Sequence, residues 1–207
     1  IDKKTLSPFR IKSLVLQYPE EMRKQIKSYT YKEEIDVIIS NEKRNKFIRN
    51  LAISLNTNTL ILFQMVENHG KILYDLIKEK AKDGRKVFFV YGGTETTDRE
   101  NIRKAVENET NAIVVASYGT FSTGINITNL HNIIFASPSK SRIRNLQSIG
   151  RSLRQNKSKK IATLYDIADD FSYKNYKNYT LNHFVERIKL YNEEQFEYTI
   201  ITVPINS

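Results

Sequence analysis

The chain has 207 residues, of which 40% are hydrophobic and 11% aromatic; this is enough for one substantial domain with an appendage, or two small ones, and excludes a disordered tail. The 33 lysines and arginines outnumber the 23 acidic residues and leave a net charge of +10, which favours a polyanionic partner, nucleic acid before a membrane surface, over a merely basic protein. The sequence has no cysteine, which excludes a disulfide framework, and its three histidines are scattered, which disfavours a metal centre. It also has no long apolar run and no signal peptide, which favours a soluble, cytoplasmic protein that spans no membrane.

The first 55 residues predict an entry strand followed by a helical lead-in. Residues 10–18, RIKSLVLQY, mix alternation with a short apolar run and end at Pro19, as a strand does. From Glu20 to about Leu55 the pattern is helical and highly charged, and Asn41 occupies a suitable N-cap position. We expect 1–55 to pack on the main domain.

Residues 56–170 predict strands that alternate with helices. The apolar runs that read as strands are 59–66, 86–92, 111–117, 131–137 and 160–168. Helices are expected after the first run, from Thr97 or Asp98 onward, at about 119–124 and at 140–154. This alternation is typical of a mainly parallel sheet covered on both faces, a three-layer α/β domain with right-handed crossovers. Residues 171–207 predict a helix from about 180 to 195 and a strand, as a C-terminal extension.

Three segments follow predicted strands at the edge where such sheets bind ligands. They are YGGTETTDRE (91–100), ASYGTFSTGIN (116–126) and the helix with QSIGRSLR (147–154). One face of that helix carries a polar stripe at spacing i, i+3, i+4 and i+7, made of Gln147, Gly150, Arg151 and Arg154. Ile149 and Leu153 face elsewhere and can anchor the helix on the sheet.

The two arginines of this stripe suit a phosphate group. Arginine is always charged and donates two parallel hydrogen bonds, and beside a γ-phosphate it accelerates transfer by ~10³–10⁵-fold. The alternative is two surface arginines on a basic helix, and spacing alone leaves both interpretations open.

These motifs carry a resemblance to a known family. QSIGRSLR resembles the QxxGRxxR signature (motif VI) of superfamily 2 helicases, and ASYGTFSTGIN resembles their motif V. TLILFQMVENHGKIL lies where their motif IV lies, and YGTFSTGINITNLHNIIFA followed by LQSIGRSLR is most similar to phage UvsW-type DNA helicases, which act on branched DNA and R-loops. The resemblance covers 59–170 firmly and the flanks more loosely. It implies the second RecA-like motor domain of such an enzyme, working in the cytoplasm of a bacterial host.

The resemblance implies a role for each matching residue on the nucleotide side. Arg151 and Arg154 would be arginine fingers that reach ATP bound on a partner motor domain, with Gln147 in the same network. The residues that would face the nucleotide are Gly124, Asn126 and Gly150. Many relatives have aspartate where this chain has Asn126; an amide can still hydrogen-bond a ribose hydroxyl, but the charge is absent.

The resemblance also implies contacts with DNA. Ser117 and Thr120 would be the motif V hydroxyls at the backbone, and the alignment does not distinguish between them. A close backbone approach to a phosphate suits Gly92, Gly93 and Thr94. From Lys140 to Lys160 there are eight basic residues and no acidic one. This patch favours sequence-independent contact with DNA, through Lys140, Arg142 and Arg144 among others, over a merely solvated loop.

Two signatures of a complete motor are missing from the sequence. No GxxxxGK[ST] and no DExH or DEAD box occurs, and HGKI (69–72) lacks the upstream glycine and the hydroxyl. Because the first residue is Ile1, we expect a longer natural chain, whose N-terminal RecA-like domain holds most of the ATP and Mg²⁺ site. This fragment alone would then be inactive. One alternative is a basic nucleic-acid-binding adaptor that keeps the fold without motor function. A nucleotide-sugar or dinucleotide enzyme is disfavoured because no GxGxxG follows a strand.

Two further groups of residues have a structural and a functional interpretation. Stacking on bases could involve tyrosines that alternate with lysines, namely Tyr173, Tyr176 and Tyr179; their spacing favours packing of a helix on its domain. A metal site could involve Asp166, Asp169 and Asp170; without histidine support, capping or salt bridging is favoured.

Overall fold

A computed structural model describes residues 9–82, 84–122, 129–155 and 162–206, with the side chains of Phe9, Ser122 and 151–155 not among those described. The strands of the described part are β1 (Phe9–Gln17), β2 (Thr59–Phe63), β3 (Val87–Val90), β4 (Ile113–Ser117), β5 (Asn132–Phe135), β6 (Ala162–Asp170) and β7 (Glu197–Pro204). They form one sheet in the order β3-β4-β2-β5-β6-β1-β7. Every pairing in it is parallel.

The helices connect these strands across the faces of the sheet. They are α1 (Glu20–Ile26), α2 (Tyr31–Ser40), α3 (Glu42–Ser54), α4 (Lys71–Lys80), α5 (Thr96–Glu107), α6 (Tyr118–Ser122), α7 (Arg142–Gln155) and α8 (Tyr179–Glu193). A π-helical turn, Val66–Gly70, precedes α4. The helices α1–α4 pack on one face of the sheet and α5–α8 on the other. The predicted three-layer α/β architecture is confirmed.

The central strands are buried on both faces, which explains their near-continuous apolar sequences. In β2, Leu60 and Leu62 belong to the core under α5–α8, whereas Ile61 and Phe63 belong to the core under α1–α4. All four side chains are 0% exposed. Full burial of such a side chain contributes about 1.5–3 kcal/mol, so these strands anchor both layers.

Local capping explains where several helices begin. Thr30 and Glu33 form a reciprocal capping box at the start of α2. Asn41 accepts a hydrogen bond from the Arg44 backbone at the start of α3, so the predicted N-cap is confirmed. By contrast, α5 begins at Thr96 rather than at Thr97 or Asp98, without a side-chain cap. The turn from Tyr91 to Thr94 directs the chain into the helix early, as described below.

The lead-in and the extension both contribute to the sheet. β1, from 1–55, lies inside the sheet and pairs with β6 and β7, the last of which comes from 171–207. All three predicted segments therefore share one sheet.

Candidate functional site at the carboxyl edge of the sheet

The carboxyl ends of the parallel strands place the candidate residues at one edge of the sheet. Ser117 ends β4 and leads directly into α6. The Gly92–Gly93 turn follows β3, and α7 follows β5 after a short loop that contains Lys140. The predicted sites after β3, β4 and β5 therefore meet at a common edge.

Helix α7 is continuous from Arg142 to Gln155, so its backbone places Gln147, Gly150, Arg151 and Arg154 at helical positions of one face. Leu146 and Ile149 are buried at 0% and 3% exposure, which confirms the predicted anchoring by Ile149. Gln147 is exposed, whereas Gly150 is buried. The side chains of Arg151, Leu153 and Arg154 lie outside those that the structure describes, as do Gly124 and Asn126 altogether.

Arg142, the first residue of α7, is a buried clamp that bonds to the end of β5 and the middle of β6. It is 1% exposed. Its Nη1 donates to Asp166 Oδ1 at 2.9 Å and to the Ile167 carbonyl at 2.6 Å, and its Nη2 donates to the carbonyls of Phe135 at 3.1 Å and Ser137 at 2.7 Å. These bonds satisfy a charge that would be costly to bury alone.

The prediction that Arg142 contacts DNA is therefore wrong. Its guanidinium points onto β5 and β6 because Asp166 supplies a buried partner charge there, and no donor is left facing solvent for a phosphate. Its neighbours in the basic run, Lys140 and Arg144, are exposed. A run of basic residues does not reveal which member has a distant carboxylate partner.

Asp166 extends this cluster to α8. Its Oδ2 accepts from Arg187 Nε of α8 at 2.8 Å and from the Tyr191 hydroxyl. Burial opposes ionisation of Asp166, but the charges of Arg187 and Arg142, with the hydrogen bonds of Arg187 and Tyr191, outweigh it and hold the pKa of Asp166 below its ordinary value. Tyr118 of α6 donates to the Ser137 carbonyl at 2.7 Å and accepts from Arg142. The cluster thus joins α6, α7 and α8 to the end of β5 and the middle of β6.

The two candidate hydroxyls at the end of β4 bond to each other. Ser117 Oγ and Thr120 Oγ1 are 2.5 Å apart, and the Thr120 backbone N–H donates to Ser117 Oγ at 3.3 Å. Thr120 is buried at 2% exposure, while Ser117 is partly exposed. Ser117 therefore presents more of its surface to a ligand than Thr120 does.

The turn after β3 is fixed by its own side chains. Thr94 Oγ1 accepts from the Tyr91 backbone N–H at 3.0 Å. Arg99 donates to the carbonyls of Thr94 at 2.9 Å and Gly92 at 2.7 Å. A Cβ on Gly93 would lie 2.5 Å from the Tyr91 ring, whereas one on Gly92 would meet nothing within 4 Å. A side chain at Gly93 would therefore displace the Tyr91 ring, and Arg99, which sequence reasoning missed, holds the turn in shape.

A second buried cluster lies beneath α3, where Arg44 meets Asp169. Arg44 Nε and Nη2 donate to the two carboxylate oxygens of Asp169 at 2.7 and 3.0 Å, and the Tyr18 hydroxyl donates to Asp169 at 2.6 Å. The backbone N–H of Ser172 donates to Asp170 Oδ1 at 2.8 Å. With the ion pairs of Asp166, these contacts confirm the prediction of salt bridging for Asp166 and Asp169, whereas Asp170 accepts a local bond from the backbone two residues on.

His69 links this cluster to the end of β5. Asn45 uses its amide N–H on the Ile39 carbonyl, so its Oδ1 accepts from His69 Nε2 at 2.9 Å. His69 Nδ1 lies 2.5 Å from Ser137 Oγ, from which a neutral imidazole accepts a hydrogen bond. Burial, followed by the charges of Arg44 and the neighbouring Arg142, lowers the pKa of His69 well below its ordinary value.

The three tyrosines after β6 do not share one helix. Tyr173 and Tyr176 pair through an antiparallel bridge, and Lys174 between them has a positive φ of 53°. Only Tyr179 begins a helix, α8, and it is 43% exposed. The expectation that all three pack one helix onto the domain is wrong, because a tight turn occupies 173–176.

The described residues contain no cluster of three or more histidine, cysteine, aspartate or glutamate side chains that could hold a metal ion. No helix in this part of the chain is both long and apolar enough to cross a membrane.

The chain is similar to known helicases in sequence and in structure. The model of the family described as helicase conserved C-terminal domain matches residues 42–156. The ATP-dependent DNA helicase uvsW of Enterobacteria phage T4 is 41% identical over 211 residues, which cover 96% of this chain and 41% of the phage protein. The crystal structure of T4 UvsW is similar over 97% of this chain and 42% of that one, with 42% identity and a TM-score of 0.84. This chain thus spans about two fifths of the length of those relatives.

A more distant structure shows the fold alone. The C-terminal domain of the DEAD-box protein Dbp5 is 12% identical, with a TM-score of 0.58 and coverage of 93% of this chain and 90% of that one.

Proposed function

Since the chain belongs to the helicase conserved C-terminal domain family, we propose that it works as the second motor domain of an ATP-dependent DNA helicase similar to the phage T4 enzyme. ATP and Mg²⁺ would be held mainly by an N-terminal RecA-like domain of the same protein. Closure of the cleft between the two domains around ATP, and its opening after hydrolysis, would move the strand-end loops stepwise along branched or single-stranded DNA.

Helix α7 supplies the nucleotide-facing groups in this proposal. Arg151 and Arg154 act as arginine fingers on the phosphates, where their charge meets the charge that develops in the transition state. Gln147 belongs to the same network. Three further residues complete the surface that faces the nucleotide, namely Gly124, Asn126 and Gly150.

The loops after β3, β4 and β5 supply the DNA-facing groups. Ser117, with Thr120 bonded behind it, binds the sugar-phosphate backbone. The turn of Gly92, Gly93 and Thr94 approaches a phosphate with its backbone. Lys140 and Arg144, both exposed, add charge that is independent of sequence.

The observation that carries the proposal is the construction of α7. The first residue of α7, Arg142, anchors the helix through its bond to Asp166 of β6. Leu146 and Ile149 are buried and pack the helix against the sheet. The backbone of the QSIGRSLR segment is therefore fixed on the sheet as a regular helix. Such a support suits a helix that must hold guanidinium groups at a defined distance from ATP.

The test is substitution of Arg154 in the full-length enzyme. We expect R154A to lower ATP turnover by ~10³-fold or more, because the transition-state charge loses its partner. R103A is a matched control: Arg103 is also a helical arginine, but it bonds to Glu100 and Glu107 on the exposed face of α5 and should leave turnover unchanged. Turnover of R154A within about threefold of wild type would exclude the arginine-finger role.

A further inference from the structure

Two helices that lie outside the family-matched segment 42–156 are joined at their first turns. Tyr31 is the first residue of α2, and Tyr179 is the first residue of α8. Glu34, one turn into α2 and 0% exposed, accepts hydrogen bonds from the backbone N–H groups of Tyr179 at 3.0 Å and Thr180 at 2.8 Å. This buried carboxylate fixes the two tyrosines beside each other.

An aromatic and basic surface results, which we call the tyrosine patch: Tyr31, Tyr179, His183 and Lys140. The Tyr31 ring meets Tyr179 edge-on at 5.9 Å and His183 at 5.6 Å between centroids. Lys140 Nζ lies 5.2 Å from the centroid of the Tyr31 ring. Burial, followed by the charges of nearby arginines and Lys140, lowers the pKa of His183, so its ring is neutral at pH 7 and adds an apolar surface.

The tyrosine patch lies between two surface pockets that share Ser139 and Lys140. One pocket is lined by Tyr31 and Met65, the other by His183 and Ile143. Six large hydrophobic side chains are exposed in the described part of the chain, and three of them, Met65, Ile143 and Tyr179, surround or belong to the patch. Exposed apolar surface is thus concentrated beside the candidate DNA-facing edge, and a concentration of this kind marks a binding site.

The charge of this region favours an anionic ligand. Lys32 and Lys140 both line the pocket under Tyr31 and have no carboxylate partner among the described ion pairs. Of the two acidic residues that line the pockets, Glu186 is paired with Lys189 at 3.1 Å. A ligand with flat apolar faces and a negative backbone matches both properties, and single-stranded nucleic acid is such a ligand.

We propose that the tyrosine patch binds an unstacked base of the DNA strand against Tyr31 and Tyr179, with Lys140 on the adjoining phosphate. The inference rests on the proposed function and adds to it a base-contacting site built by helices outside the family-matched segment. A base stacked there would keep the single strand from re-pairing as the motor moves. Stacking on aromatic side chains tolerates every base, as a helicase requires.

The experiment measures binding of the full-length protein to a fluorescent single-stranded oligonucleotide, and to one of the same length that is abasic throughout. The double variant Y31A/Y179A should bind the normal strand roughly tenfold or more weakly, because two stacking contacts are lost, and should bind the abasic strand as wild type does. Y31F should bind as wild type, since the ring remains. Y173A is the matched control, because Tyr173 also lies near two lysines but outside the patch.

The outcomes separate this site from the motor itself. Equal binding of the normal strand by wild type and Y31A/Y179A would overturn the base-contacting site. Equal weakening on normal and abasic strands would overturn it too, because the loss would then not depend on a base. If wild type fails to bind either strand at low salt, the proposed function itself is wrong.

Discussion

Replacing Asp166 by asparagine tests whether the buried arginine cluster stabilises the domain. Asp166 is 0% exposed and is paired with Arg142 at 2.9 Å and Arg187 at 2.8 Å. Asparagine keeps the shape but removes the charge, so two buried guanidinium groups lose their counter-ion. Removing one partner of a buried pair costs about 3–5 kcal/mol, a large share of the roughly 5–15 kcal/mol that stabilises a typical domain.

Urea unfolding followed by circular dichroism measures this loss in the isolated chain. With a slope of about 1–3 kcal/mol per molar urea, the transition midpoint of D166N should fall by about 2 M. D75N is the control, since Asp75 is exposed on α4 and should change stability by less than about 0.5 kcal/mol. A loss below about 1 kcal/mol in D166N would refute the reasoning.

The pH dependence gives a second check on the same residue. Because the pKa of Asp166 in the folded state lies below the ordinary 3.8, the unfolded chain takes up the proton first as the pH falls. The stabilisation by Asp166 is therefore complete above about pH 4 and is lost as the pH falls through the folded pKa. The difference between wild type and D166N should shrink in that range, and a difference that stays constant down to complete acid unfolding would contradict the assignment.

Two further predictions concern the π-helical turn. The pKa of His69 lies well below 6.5, so the free energy of unfolding of the wild type should decline as the pH falls below about 6.5, by up to about 1.4 kcal/mol per pH unit. H69Q should show a shallower decline between pH 6.5 and 5 in the same urea assay. Identical slopes for the two proteins would contradict the neutral state of His69. A Cβ on Gly70 would lie 2.5 Å from the buried ring of Phe63, so G70A should lose about 1–3 kcal/mol, whereas G92A, with nothing within 4 Å, should be neutral. Equal thermal midpoints for these two variants would refute the packing argument.

Periodicity predicted the architecture because the central strands are buried on both faces. A short apolar run such as TLILF in β2, alternating along the chain with helical patterns, is typical of a strand between two layers of helices. The spacing in α7 likewise placed Ile149 on the packed side. These predictions need only local pattern, and local pattern is what a single sequence contains.

The buried charges could not be predicted in the same way. Arg142 and Arg44 lie in highly charged stretches that are typical of exposed helix faces, yet their partners Asp166 and Asp169 come from β6, far along the chain. The contact of Glu34 with Thr180 spans 146 residues. Such pairs depend on the order of strands in the sheet, which the sequence pattern leaves undetermined. The tyrosine patch could not be predicted from the sequence for the same reason.

The position of β1 in the sheet delays the pairing of this strand during translation. Its neighbours β6 and β7 follow every other described strand in the sequence, and the hydroxyl of Tyr18, just past β1, meets its partner Asp169 151 residues later. At roughly 5–20 residues per second, the ribosome needs on the order of 10–30 s to deliver that partner. Until then Ile11, Leu14 and Leu16 lack their native neighbours in the sheet, so the yield of native protein depends on keeping β1 away from other chains while translation continues.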